Sequence, residues 1–207
     1  MTTIHHPKSI ADQVLSKIVH RGRGAVVFAV DFRKMGRPET VRQALSRLAR
    51  NGTIQRVGAS LYYYPVINAK LGGKLPPPAD AVAKALALRT NSKILPAGAL
   101  AANLLGLSTQ VPAKRIYLTD GPSRDIAVGP YTIHFKHVSP RRMAVKDGSS
   151  LVFESLRFFK HENMPEMVVP RLKAVLPINA KKQLRRDSRY APAWMRPLLE
   201  QIAVSRK

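Results

Sequence analysis

One stretch of chain-breaking residues, Leu71-Gly72-Gly73-Lys74-Leu75-Pro76-Pro77-Pro78, limits this chain more than any other feature. Proline lacks a donor N–H and glycine resists fixed geometry, so the stretch makes a poor helix or strand. It predicts a domain over residues 1–66, a Gly/Pro-rich linker over 67–78 and a second domain over 79–207. A length of 207 residues suits one or two domains and not more.

Before the cluster, the hydrophobic periodicity is readable element by element. Ser9-Ile10-Ala11-Asp12 has the capping-box pattern, and Ile10, Val14, Leu15 and Ile18 follow at helical spacing. Arg21-Gly22-Arg23-Gly24 ends that helix, and Ala25 to Val30 is a short β-branched run that reads as a strand. Asp31 is placed to cap a short second helix running through Met35. Pro38 suits the first turn of a third helix, and Glu39 complements its positive N-terminal dipole. Asn51-Gly52 is the stop signal for this helix. Within it, Val41, Ala44, Leu45 and Leu48 form one apolar stripe, with polar residues opposite. Ile54 to Val57, a Gly58-Ala59-Ser60 turn and Leu61 to Tyr64 then read as a hairpin. Helix, strand, short helix, amphipathic helix, hairpin is the order of a winged helix-turn-helix, which sets its third helix in the DNA major groove.

The polar side of the third helix carries chemistry suited to that groove. Arg42, Gln43, Ser46, Arg47 and Arg50 lie on it, with Arg37 and Thr40 near its start. Arginine pairs bidentately with guanine and glutamine with adenine, while arginine and threonine also bind phosphate oxygens. Arg56 in the wing is the candidate for a phosphate or minor-groove contact. Of Tyr62, Tyr63 and Tyr64, strand alternation turns Tyr63 one way and its neighbours the other, so at least one side is core.

Composition agrees with a polyanionic partner. Lys and Arg total 35 against 12 Asp and Glu, a formal net charge of +23. Such a chain repels itself when compact, and nucleic acid is the commonest polyanion a protein meets. The charge is spread out: 11 basic and 3 acidic residues in 1–65, 9 and 3 in 66–140, and 15 and 6 in 141–207. The absence of cysteine removes disulfides, thiolate zinc sites and thiol catalysis, and fits a cytoplasmic location. No apolar run is long enough for a membrane span, and the first residues lack the n- and h-regions of a signal peptide.

After the cluster, Ala79 to Leu88 and Ala99 to Leu105 read as helices, separated by a break at Pro96-Ala97-Gly98. Arg115 to Thr119, Ile126 to Val128 and Tyr131 to Val138 read as strands, with turns at Asp120-Gly121 and Gly129-Pro130. Ser150 to Phe159, Leu172 to Val175 and Met195 to Val204 read as helices. The chain as a whole is thus expected to be α+β: an N-terminal winged helix-turn-helix, then a mixed α+β domain with a small antiparallel sheet and a helical C-terminal part.

The string GALAANLLGLSTQVPAKRIYLTDGPSR, Gly98 to Arg124, resembles the central segment of AbiEi-like antitoxins of type IV toxin–antitoxin (abortive-infection) systems. The LYYYP that closes the wing, the PPP after it and the RYAPAWM ending at Met195 are similar to that group too. The resemblance implies an antitoxin and autorepressor that binds inverted repeats in its own promoter as double-stranded DNA, and a palindromic operator would need two copies. It also implies a C-terminal domain that counteracts a nucleotidyltransferase-like toxin protein. A stand-alone DNA-binding regulator without a toxin is the alternative.

Catalytic patterns are weak. Gly121-Pro122-Ser123 lacks the rest of a nucleophile elbow, and His134 and His137 fall on opposite faces of a strand. Asp120 and Asp125 flank one turn and would be the nucleus of a metal-dependent nuclease, but Asp favours turns for local reasons. No P-loop or GxGxxG is present, so no cofactor, no metal and no enzymatic activity are expected. Gln110, Lys114, Arg115 and Arg124 read as a basic binding surface beside that turn. Lys181, Lys182, Arg185, Arg186 and Arg189 form a basic tail cluster that would add nonspecific affinity for DNA, or for RNA if that were the partner.

Overall fold

A computed structural model describes residues 9–109, 112, 114–128, 131–160, 162 and 164–204. The protein is mixed α+β and forms two compact units, Met1–Leu86 with Ile126–Thr132, and Ala87–Asp125 with Ile133–Lys207. Among the described residues, no helix is long and apolar enough to cross a membrane.

The first unit opens with α1 (Ile10–Arg21), which starts where its capping box dictates. The Asp12 amide donates to Ser9 Oγ at 3.2 Å, and the Ser9 amide donates to the Asp12 carboxylate at 3.1 Å. Two amides that the first helical turn leaves free are thereby satisfied. Strand β1 (Val26–Phe28) runs directly into a 3-10 turn, Ala29–Phe32, earlier than the short helix expected after Asp31. Asp31 acts from inside that turn: its carboxylate accepts from the Phe28 amide at 3.2 Å and from Arg21 Nη1 at 2.8 Å. Burial of Phe32 pulls the chain in at this point, so the capping residue lies three places after the first residue of the cap.

The helix expected third in the chain is α2 (Pro38–Arg50). Its buried residues are Val41, Ala44, Leu45 and Leu48, the stripe read from spacing. They pack with Val14 and Ile18 of α1 and with Val27, Phe32, Ile54 and Tyr62 in one core. The hairpin comprises β2 (Gln55–Gly58) and β3 (Leu61–Tyr63), with β3 central in the order β1-β3-β2. Both ladders are antiparallel, and the β2 register slips between Arg56 and Gly58. Because β3 is the middle strand, Tyr62 and Tyr63 are both buried on opposite faces, while the Arg23 guanidinium lies 4.9 Å over the Tyr64 ring.

Residues 67–78, read as a linker, include an antiparallel pair, β4 (Ile67–Asn68) and β5 (Gly73–Lys74), and lie within the first unit. The glycines build a tight turn in place of a loose joint. Gly72 and Gly73 take φ of +84° and +105°, and Asn68 Oδ1 accepts from the Lys70 and Leu71 amides. Helix α3 (Ala79–Arg89) follows.

In the second unit, β6 (Ile94–Pro96) precedes α4 (Ala99–Leu104). Then come β7 (Arg115–Thr119), β8 (Arg124–Val128) and β9 (Tyr131–His137), of which Ile126–Val128 and Tyr131–Thr132 fall with the first unit. The expected Gly129-Pro130 turn lies outside the described residues. The sheet order is β6-β7-β9-β8, with β6 antiparallel to β7 but β7 parallel to β9. The sheet is therefore mixed, correcting the antiparallel expectation. After the turn at Asp120, β8 takes a place one strand further out, and β9 fills the gap. Helices α5 (Pro140–Met143), α6 (Asp147–Phe159), α7 (Val168–Val175), α8 (Ile178–Asp187) and α9 (Arg196–Ala203) complete the unit. Val152, Leu156, Leu172, Leu184, Leu199 and Ile202 close their shared core.

Leu45 is fully buried at the centre of the first core. Leu45→Ala should cost about 2–5 kcal/mol, read as a lower midpoint in chemical denaturation. Ser9→Ala, which removes an exposed cap, should cost about 1 kcal/mol in the same measurement.

Candidate nucleic-acid interface

Helix α2 is amphipathic in the strict sense that each face is fully assigned. Positions 41, 44, 45 and 48 are buried, while Glu39, Arg42, Gln43, Ser46, Arg47 and Arg50 recur at 39, 42, 43, 46, 47 and 50 and are all exposed. Spacings of three and four place these six on one side. Arg37, just before the helix, is exposed, and Thr40 is half-buried. Thirteen residues give this face a length of about 20 Å.

The arginines on this face differ in how they are held. Arg42 Nη2 donates to Glu39 Oε1 at 2.8 Å, an exposed i,i+3 pair. Arg37, Arg47, Arg50 and Arg56 have no ion-pair or hydrogen-bond partner among the described residues. Three other cations of this unit serve the fold in this way: Lys17 donates to the Asp31 carbonyl at 3.1 Å, Arg21 pairs with Asp31, and Arg23 donates to the Pro65 carbonyl at 2.9 Å. Positive charge without a local counter-ion thus lies on α2 and the hairpin, and on Arg33, Lys34 and Lys70 as well.

Arg56 is exposed on β2, opposite Tyr62 in the ladder. Beside it a groove is lined by Ile54, Gln55, Arg56, Lys74 and Pro76. Lys74 Nζ donates to the Gly52 carbonyl, which clasps β5 to the end of α2. Gly52 takes φ +72°, and a Cβ there would meet Lys74 Nζ at 2.9 Å. Sequence reading missed Lys74, because a contact across 22 residues has no local signal. It also passed over Arg33 and Lys34, both exposed just ahead of α2, although a basic pair beside a candidate reading helix is a visible cue.

The residues proposed for the second domain do not come together as one surface. Gln110 lies outside the described residues. Lys114 is exposed and Arg115 half-buried at the start of β7, opposite Ile133 of β9. Arg124 is at the other end of the sheet. It follows Ser123, whose Oγ accepts from the His137 amide at 2.8 Å, and His137 pairs with Thr119 at the end of β7. The Arg124 guanidinium lies 5.2 Å from the Phe135 ring. Of the tail cluster, Lys182, Arg185, Arg186 and Arg189 are exposed, on α8 and the 3-10 turn after it, and Lys181 is half-buried.

The carboxylates discussed as metal ligands have separate partners. Asp120 Oδ1 accepts from the Lys93 amide at 2.8 Å, and Asp125 Oδ1 lies 2.9 Å from His134 Nδ1. Among the described residues, no three His, Cys, Asp or Glu side chains converge as metal ligands would.

The protein is thus a two-unit α+β chain with a basic helix face on its first unit. Residues 13–184 match the model of a family of unknown function, DUF6088, and the chain belongs to that family. No curated protein matches it. Its fold is similar to one solved as the crystal structure of the Rv2827c protein from Mycobacterium tuberculosis. The TM-score is 0.53 at 17% identity, over 95% of this chain and 78% of that one.

Gly52→Ala forces a side chain into the left-handed region and against Lys74. It should lower stability by about 1 kcal/mol in denaturant titration.

Proposed function

We propose that this protein is a DNA-binding transcription regulator whose first unit works as a winged helix-turn-helix. The observation that carries the reading is the exposed face of α2, where Arg47 and Arg50 have no internal counter-ion, together with Arg56 on the adjoining hairpin. The order α1, β1, 3-10 turn, α2, β2, β3 supports it, since that sequence of elements suits a helix placed in the major groove with a wing at the backbone. Gln43, Ser46, Arg47 and Arg50 read base edges, and Arg37, Thr40, Arg42 and Arg56 hold phosphates. Two copies on an inverted repeat, spaced by whole helical turns, make the operator complex.

The wider role we propose is that of a cytoplasmic antitoxin and autorepressor. It rests on the similarity of the Gly98–Arg124 segment to AbiEi-like antitoxins. A neighbouring reading frame for a nucleotidyltransferase-like toxin, harmless only when this chain is co-expressed, supports that role. Without such a neighbour the regulator stands and the antitoxin does not.

Binding to promoter duplex should weaken in the Arg47→Ala/Arg50→Ala double variant without loss of stability. With about six phosphates neutralised, the log–log salt slope should be about −5. Unchanged affinity in that variant, or salt-insensitive binding, overturns the DNA reading. Glu39→Gln should act the opposite way. It removes an acid from the face and frees Arg42, so duplex affinity rises while the denaturation midpoint stays put, as expected for an exposed pair.

A further inference from the structure

A separate basic cluster lies inside the second unit. Glu154 on α6 is buried, at 4% exposure. Arg142 of α5 grips both of its oxygens, with Nε donating to Oε1 at 2.9 Å and Nη2 to Oε2. That fork occupies both carboxylate oxygens of Glu154. One helical turn along α6, Arg157 brings a second guanidinium to the same carboxylate. Its Nε is 3.3 Å from Oε1, buried, and not aligned to donate. One carboxylate therefore faces two guanidiniums.

These side chains open into a cavity of about 200 Å³, which Ser139, Arg141, Ser150 and Tyr190 also line. Arg141 is exposed and has no partner among the described residues, and no hydrogen bond is made by the terminal nitrogens of Arg157. Glu154 is the one acid lining the cavity, so the excess charge there is two positive. Burial pushes the Arg157 guanidinium below its ordinary range. The like charge of Arg142 adds to that effect, and Glu154 opposes it. An anion in the cavity offsets both penalties.

We propose that this cavity is an anion site for a single phosphate group, held by Arg141 and Arg157 with Arg142 locked behind them by Glu154. The volume favours one tetrahedral anion. It is below the roughly 300–1,000 Å³ typical of pockets that enclose larger ligands. Guanidinium forks match phosphate oxygens in geometry as well as charge. The phosphate is either free inorganic phosphate or the terminal monoester of a nucleic acid, and both present the same dianion. The site does not depend on the DNA reading of α2, since every residue in it belongs to the other unit.

Calorimetric titration of the full chain at fixed ionic strength tests the site with three probes: inorganic phosphate, a 5′-phosphorylated trinucleotide and the same trinucleotide with a 5′-hydroxyl. Saturable phosphate binding should appear and fall by about tenfold or more in Arg157→Gln. Arg141→Gln, which touches no buried group, should fall similarly and keeps the test valid if Arg157→Gln unfolds. Lys70→Gln, an exposed residue of the first unit, should leave binding intact. Preference for the phosphorylated over the hydroxyl trinucleotide identifies a nucleic-acid end, and binding of inorganic phosphate alone identifies the free ion. No saturable binding beyond matched chloride, or an equal loss in Lys70→Gln, overturns the site.

Discussion

Burial of one stripe on α2 governs the first unit. Val41, Leu45 and Leu48 meet Val14, Ile18, Phe32, Ile54 and Tyr62 in a single core. Each such side chain removed from water contributes about 1.5–3 kcal/mol. Against that, the solvation of any one polar residue on the opposite face is a small matter. The stripe therefore sets the rotation of the helix about its axis. Gln43, Arg47 and Arg50 face outward because four apolar neighbours face inward, and no specific contact has to hold them there.

What surrounds α2 then fixes its ends. Asp31 ties the turn before the helix to α1 through Arg21, and the Lys74–Gly52 clasp ties the turn after it to β5. The bulge between Arg56 and Gly58 sits beside that clasp. The helix and the hairpin thus present their arginines from a braced frame, which matters for any partner that reads positions and not charge alone.

Local chemistry was legible wherever the deciding interaction spans few residues. The capping box at Ser9, the stripe and stop signals of α2, and the turn between β2 and β3 are all of this kind. The misplaced 3-10 turn shows the limit: Asp31 has cap chemistry, but the burial of Phe32 decided where the turn falls. Strand β6 went unread because it is three residues long and ends in a proline, tolerated at a sheet edge where an N–H has no mate. The parallel β7–β9 pairing was invisible, since the same strands in the same order permit more than one arrangement. The exposed residues of α2 follow from periodicity alone, whereas the Arg142–Glu154–Arg157 cluster joins two helices and has no sequence signature.

Among the described residues, five of the twelve acids of this chain are paired at home. Asp31, Glu39, Asp80, Asp125 and Glu154 each sit against a cation or an imidazole of the same unit. With a formal net charge of +23, two molecules meeting in dilute buffer push each other away. A polyanion such as the proposed DNA partner would reverse this by lending both of them its charge. On the proposed DNA partner, assembly would be a property of the template, and crowding along it would be tuned by how much simple electrolyte the surroundings hold.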